Sequence, residues 1–148
     1  MLLSNGKQAK RRGATAVEFA VVSIIMFLML FGILEYCFIV YTYNVVENAA
    51  REGARYGIVN VTDTTMISDT KTVTKSFMGG LDATMKNYQC NVYLADANGN
   101  NIGQATDAQF GQYICVDVSV DYVPMTPGLG FLKSFTLRSR CSMGSEAN

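Results

Sequence analysis

The sequence predicts an α+β protein in which a long N-terminal transmembrane helix continues outside the membrane and precedes a short helix and a small antiparallel β-sheet. Three observations predict this fold. A long apolar segment lies near the N-terminus, the residues after it keep a helical spacing, and the last third of the chain alternates with the two-residue period of strands. The 148 residues leave room for one such helix and one domain of about 90 residues.

The membrane segment is centred on a run of sixteen uncharged residues, Phe19 to Leu34. Sixteen helical residues rise about 24 Å, whereas the hydrocarbon core of a bilayer is roughly 30 Å thick. Glu18 and Glu35 border the run, so they lie near the two membrane boundaries unless one of them is buried for a purpose. Several tyrosines follow the run, as expected of an aromatic belt at the outer interface.

Charge is distributed unevenly along the chain. The first 13 residues contain four of the twelve basic residues and none of the twelve acidic ones. Positive charge before a span favours a cytoplasmic N-terminus, with the residues after about Asn44 exported. The acidic remainder offers no basic surface for a phosphate backbone, which argues against nucleic acid as a partner. We interpret residues 1–13 as a cleavable basic leader, 14–57 as a transmembrane and assembly helix, and 58–148 as an exported α+β domain.

Small residues recur at helical spacing after the span. Ala49, Gly53 and Gly57 are four residues apart, as are Ala50 and Ala54. One face of the helix is therefore narrow enough for another helix to approach closely. The alternative is a helix that is simply rich in alanine.

A second helix is predicted from Thr62 or Asp63, either of which can cap its N-terminus, to about Met78. Gly79 and Gly80 then end it. Its many threonines also suit a strand. One face of this helix carries the residues Ile67, Thr70, Val73, Thr74 and Phe77.

Three strands are predicted: Cys90 to Ala95, Tyr113 to Tyr122, and part of Phe131 to Met143. The second has the clearest alternation of apolar and polar residues. Asn98-Gly99 is a strong signal for a hairpin turn after the first strand. The connection before the third strand contains the turn residues Pro124, Pro127, Gly128 and Gly130.

The cysteines are compatible with an oxidising compartment. Cys37 lies at the edge of the span, which leaves Cys90, Cys115 and Cys141 in the exported domain. Strand phase places Cys90 and Cys141 on apolar faces and Cys115 on a polar face. We therefore predict a disulfide between Cys90 and Cys141, because bonded sulfurs need Cβ atoms on the same side. A bulge would change the register and leave the pairing open, since connectivity does not follow from sequence alone.

The sequence carries no recognisable catalytic or metal-binding pattern. Histidine is absent, which removes the usual general base and zinc ligand, and no phosphate-binding glycine loop replaces it. Asp96, Asn98 and Asn100 alternate like the start of a calcium loop, but the glycine and glutamate of an EF-hand are misplaced, which favours a polar turn. We expect no enzymatic activity, no catalytic residue, no metal and no cofactor.

The junction between leader and span reads RRGATAVEFA, which resembles the processing site of type IV prepilins of the Flp and Tad (tight adherence) class. By this resemblance Gly13 is the last leader residue and Ala14 the new N-terminus. Glu18 is then the glutamate at the fifth mature position, followed by Phe19. The resemblance implies cleavage by a membrane-embedded prepilin peptidase.

The segment FGILEYCFIVYTYNVVENAAREGARYG is similar to TadE-like minor pilins, whose pattern it matches from Arg51 to Arg55. Many relatives have a proline where this chain has Ile24 and Ile25. The resemblance implies a pilin-like fold and a minor pilin or pseudopilin of a Tad pilus used in adhesion. The implied location is the bacterial inner membrane, where the protein either stays or from which it joins a surface pilus. The implied partners are the prepilin peptidase, the major pilin and other minor pilins. The assembly residues are Glu18, Phe19, Glu35, Arg51, Glu52 and Arg55.

These charges also have a physical interpretation. A carboxylate in an apolar segment is expensive and marks a pairing partner, and for Glu18 we expect the new amine of Ala14 on a neighbouring subunit. The alternative is a glutamate that faces lipid headgroups. Glu35 either faces the outer interface or pairs with a basic residue of a partner. The charges of Arg51 to Arg55 either contact a neighbour or form a solvated helix face.

The sequence leaves three candidate functions. The first is a processed minor pilin that initiates or joins a Tad pilus. The second is an unprocessed, membrane-anchored assembly factor of a pilus or secretion machine, and the third is a membrane-bound enzyme of the cell envelope. The absence of histidine makes the third the least supported.

Overall fold

The computed structural model describes residues 6–125 and 133–145. The helices are α1 (Gly6–Val59), α2 (Met66–Phe77) and α3 (Leu81–Thr84). The strands are β1 (Lys86–Ala95), β2 (Asn101–Gly103), β3 (Tyr113–Tyr122) and β4 (Phe135–Gly144), with a short 3₁₀ turn at Ala105–Asp107. This is the predicted α+β class. The predicted turn residues Pro127, Gly128 and Gly130 lie outside the described residues.

Helix α1 is 54 residues long and carries the predicted membrane segment. Within the described residues it is the one helix long and apolar enough to cross a membrane, over Gly13–Val59. It begins at Gly6 rather than at Ala14, in a stretch of lysine, glutamine, alanine and arginine, which are good helix formers. The chain divides into two compact units, residues 1–37 and 38–148. Residues 38–57, which we assigned to the assembly helix, therefore also belong to the folded unit.

The sheet of the second unit is antiparallel with the order β2-β1-β3-β4. The predicted bounds of β3 are confirmed, and β1 begins at Lys86, earlier than the predicted Cys90. Asp96 shapes the predicted hairpin turn, since its Oδ1 accepts hydrogen bonds from the backbone N–H groups of Asn98 and Asn100, both at 2.8 Å. The short return strand β2 was not predicted.

The core of the second unit lies between α1 and one face of the sheet. Val46 and three alanines of α1 are fully buried. They form one cluster with the inward residues of β3, namely Val116, Val118, Val120 and Tyr122. The alternation that predicted a half-buried strand therefore marks the face on which α1 packs.

Helix α2 packs at the narrow face of α1 within the same chain. A Cβ atom added to Gly53 would overlap Thr74 Oγ1 and lie 3.3 Å from Val116 Cγ1. The predicted close approach of a second helix is therefore present, and that helix is α2. Of the residues predicted to share one face of this helix, Thr70 and Thr74 are buried, but Phe77 is 44% exposed.

The start of α2 differs from the prediction. The helix begins at Met66, and its N-cap Thr65 makes no side-chain cap hydrogen bond. Asp63 does not cap the helix; its Oδ1 instead accepts a hydrogen bond from the backbone N–H of Thr65 at 3.2 Å. The helix begins later than predicted because two consecutive turns precede it. The side chain of Asp63 stabilises the turn next to the helix.

We expect Gly53→Ala to lower the free energy of unfolding by about 1–3 kcal/mol, because the new methyl group overlaps Thr74 in a packed interior. Gly57→Ala is the matched control. Its added Cβ would meet Ile114 Cγ2 at an ordinary 3.5 Å, so higher helix propensity should raise stability by up to about 1 kcal/mol. Denaturant titration of the full chain in detergent measures both. Equal effects of the two substitutions would contradict the packing described.

Candidate processing and assembly sites

The predicted processing site lies on an uncovered stretch of α1. Gly13 and Ala14 are both exposed, and a Cβ atom built on Gly13 meets no other atom within 4 Å. The peptide bond between Gly13 and Ala14 lies in helical backbone. Within the described part of the chain, nothing shields that bond from an enzyme.

The first predicted assembly residues are also exposed. Glu18 is exposed, as is Phe19 at 73%. The apolar side chains that follow as far as Leu34 are exposed too, on every side of the helix. A helix that is apolar all round is suited to lipid or to a bundle of other helices. A carboxylate at the border of such a surface is available to a charge from another molecule.

Glu35 has a different environment from Glu18. It is only 3% exposed, whereas the residues that flank it on α1 are exposed. Buried carboxylates are paired or hydrogen-bonded, because desolvating a free charge is expensive. The structure does not test the predicted alternatives for Glu35, which are exposure at the outer interface and a pair with a basic residue of a partner. Its assignment as an assembly residue remains a prediction.

The charges of Arg51 to Arg55 are directed to different surroundings. Arg51 Nη2 lies 2.5 Å from Glu47 Oε1 one helical turn earlier, which is the local support that this spacing favours. Glu52 and Arg55 instead line a groove of about 350 Å³ beside the end of α1. The groove also contains Val59, which is 65% exposed, and Phe77 of α2. An apolar groove bordered by charges is typical of a surface that contacts another protein.

The outer face of the sheet carries an ion-pair cluster that sequence analysis missed. Asp117 of β3 is 4% exposed. Its carboxylate accepts hydrogen bonds from Arg138 Nε at 2.7 and 3.0 Å and from Arg138 Nη2, and Arg140 Nε lies 3.4 Å away. The hydrogen bonds to Asp117 raise the pKa of Arg138 further above its ordinary value. The cluster depends on the strand register that places Asp117 opposite Arg140, and this register cannot be read from the sequence alone.

The four cysteines are free, and the predicted disulfide between Cys90 and Cys141 is not formed. Both cysteines lie on the core-facing side, as predicted. However, Cys90 is opposite Val118 and Cys141 is opposite Val116, so β3 lies between them. Two strand spacings amount to about 9.6 Å, which exceeds the Cα separation of roughly 7 Å that a disulfide can bridge. Burial raises the pKa of both thiols.

Comparison with protein families gives a match in the first third of the chain. Residues 13–55 match the family model of TadE-like proteins. The chain carries a TadE-like segment. TadE-like proteins belong to Tad pilus systems, so the match supports a protein associated with such a pilus and with a membrane. No curated protein and no solved structure matches the chain.

The TadE-like segment ends within α1. It begins at Gly13, the predicted last residue of the leader, and ends at Arg55, which lines the groove beside α2. All of the predicted processing and assembly residues therefore fall inside it. The cysteines of the sheet and the ion-pair cluster of Asp117 fall outside it.

Peptide mapping of the full-length chain, alkylated in denaturant without reductant, should recover no peptide pair linked through Cys90 and Cys141. The reason is geometric, because β3 separates the two cysteines in every monomer. A reduced sample analysed in parallel is the control. Recovery of that linked pair from the monomer would mean that the strand order is different.

Proposed function

We propose that the chain is a minor pilin or pseudopilin of a Tad pilus, processed by a prepilin peptidase and active in the assembly or initiation of a pilus used for surface attachment. The observation that carries the proposal is the TadE-like segment, which begins at the residue expected to precede the cut. The protein would be anchored once in the bacterial inner membrane, with its N-terminus in the cytoplasm and residues 58–148 exported.

The surroundings of Gly13 support cleavage there. The prepilin class has glycine before the cut, and Gly13 and Ala14 are uncovered on α1. Cleavage would create an ammonium group on Ala14, one helical turn from Glu18. At the edge of an apolar segment this charge and the carboxylate of Glu18 would favour each other on neighbouring subunits, because each reduces the cost of keeping the other out of water.

The groove beside α2 supports a second contact between subunits. Glu52 and Arg55 border it with opposite charges, and Val59 and Phe77 give it exposed apolar surface. We propose that the major pilin or another minor pilin contacts this groove. Arg51, which is already paired with Glu47, would contribute less to such a contact.

A permanently anchored assembly factor is the second candidate. The observation that favours it is the continuity of α1, which begins at Gly6 and runs through the predicted cleavage site without a break. In that case the leader would remain part of the membrane helix. Both candidates act by assembly rather than catalysis, a proposal supported by the lack of histidine in the sequence, the usual general base.

Replacing Gly13 with leucine should leave the leader attached, because a bulky side chain would occupy the place where the peptidase accepts glycine. Gly32→Leu is the matched control, since a Cβ atom at Gly32 also meets nothing within 4 Å but lies far from the cut. Intact-mass analysis should show a mature chain starting at Ala14 in the wild type and in Gly32→Leu, and only when the peptidase is present. An intact N-terminus on the wild-type chain, both with and without the peptidase, would instead identify the anchored assembly factor.

Glu18→Ala should be cleaved normally but should strongly reduce the number of pili, because the charge partner for the new amine is lost. Glu18→Gln separates charge from size and should have the same effect. Glu47→Ala, which removes a partly exposed carboxylate further along the same helix, is the control and should leave piliation nearly unchanged. Counting pili by electron microscopy measures the effect, and wild-type piliation of Glu18→Ala would refute the charge-pairing role.

A further inference from the structure

A polar pocket of about 450 Å³ lies beside the outer face of the sheet. Its charged lining consists of Lys71 from α2, Asp117 from β3, and Arg138 and Arg140 from β4. Residues 58–148 contain only six basic residues against eight acidic ones. Three of those six basic residues therefore line one pocket, together with a single carboxylate, in an otherwise acidic domain.

The single carboxylate of the pocket is already engaged. Arg138 binds both oxygens of Asp117, so that pair is neutral and fixes the guanidinium of Arg138 in place. Arg140 approaches Asp117 only through Nε, at 3.4 Å, and its side chain is 48% exposed. Lys71 is exposed and forms no ion pair with any residue in the described ranges. Two positive charges thus remain available to a ligand.

The uncharged lining is suited to hydroxyl groups. Asn91, Asn100 and Asn101 contribute amides. Asn100 Nδ2 donates to Asp96 Oδ2 at 2.9 Å, and Asn101 Oδ1 accepts from the backbone N–H of Gly103 at 3.0 Å. The amide oxygen of Asn100, the amide NH₂ of Asn101 and the whole amide of Asn91 are left to accept or donate hydrogen bonds to a ligand. Tyr93 contributes an aromatic ring whose hydroxyl donates to the carbonyl oxygen of Gly99 at 3.4 Å. Burial raises the pKa of that hydroxyl to about 12, so it remains protonated and keeps donating. A ring held in this way offers an apolar face against which the C–H groups of a sugar can pack.

We propose that this pocket binds an acidic sugar of the uronic acid type, with the carboxylate held by Arg140 and Lys71 and the hydroxyl groups held by the asparagine amides. The planar fork of Arg140 matches a carboxylate. A neutral sugar would remove the two cations from water without neutralising their charge, which is unfavourable. A long polyanion such as nucleic acid would meet the acidic charge of the surrounding domain. This binding activity is independent of the proposed role in pilus assembly.

Titration of the full-length chain in nanodiscs with sodium D-glucuronate, followed by ligand-observed NMR, tests the proposal. D-glucose is the neutral counterpart and sodium sulfate the generic anion. We expect saturable binding of glucuronate that is at least about tenfold tighter than that of glucose or sulfate, because charge and hydroxyl contacts have to combine.

Lys71→Gln and Arg140→Gln should each weaken glucuronate binding about tenfold, since each removes one charge-assisted hydrogen bond. Lys75→Gln is the control, because Lys75 lies one turn along the same helix and pairs with Asp82 at 3.4 Å. Lys71 is exposed, so its substitution keeps the test valid even if Arg140→Gln misfolds. Absence of saturable binding, equal binding of glucose or sulfate, or equal effects of Lys71→Gln and Lys75→Gln would each overturn the proposal.

Discussion

The close approach of α2 and β3 to α1 at Gly53 is the constraint on which the folded unit depends. A single methyl group at that position would overlap Thr74, so the distance between the helices is set by the absence of a side chain. The buried alanines of α1 belong to the same core cluster as the valines of β3. The helix that carries the candidate membrane span thus also supplies the central face of the core.

This arrangement gives the TadE-like segment two physical tasks. Its first part, from Gly13 to Leu34, exposes apolar side chains on all sides, and its last part buries small residues against a sheet. The motif Ala-Arg-Glu-Gly-Ala-Arg, residues 50–55, lies in this last part and combines small residues that pack with charged residues that stay at the surface. Gly53 and Ala54 face the core, while Arg51 and Arg55 remain exposed. The charges are therefore displayed at fixed positions on a helix that packing holds in place.

The sequence predicted those features that depend on local periodicity. The bounds of β3 followed from strict alternation of apolar and polar residues, and the turn at Asn98-Gly99 followed from its chemistry. The predicted disulfide failed because strand order is a property of the whole sheet, and β3 lies between the two cysteines. The ion pair of Asp117 with Arg138 was missed for the same reason, since it depends on the register of β3 with β4. The predicted narrow face of α1 was correct, but the sequence did not reveal that α2 would fill it.

Amide hydrogen exchange of the full-length chain in nanodiscs tests most directly the claim that one helix serves both the membrane and the folded core. If α1 is the core helix, the amides of residues 45–57 should exchange as slowly as those of β3, because both open only when the folded unit unfolds. Fast exchange of residues 45–57 beside a protected sheet would show that the helix is an independent anchor, and would contradict the account.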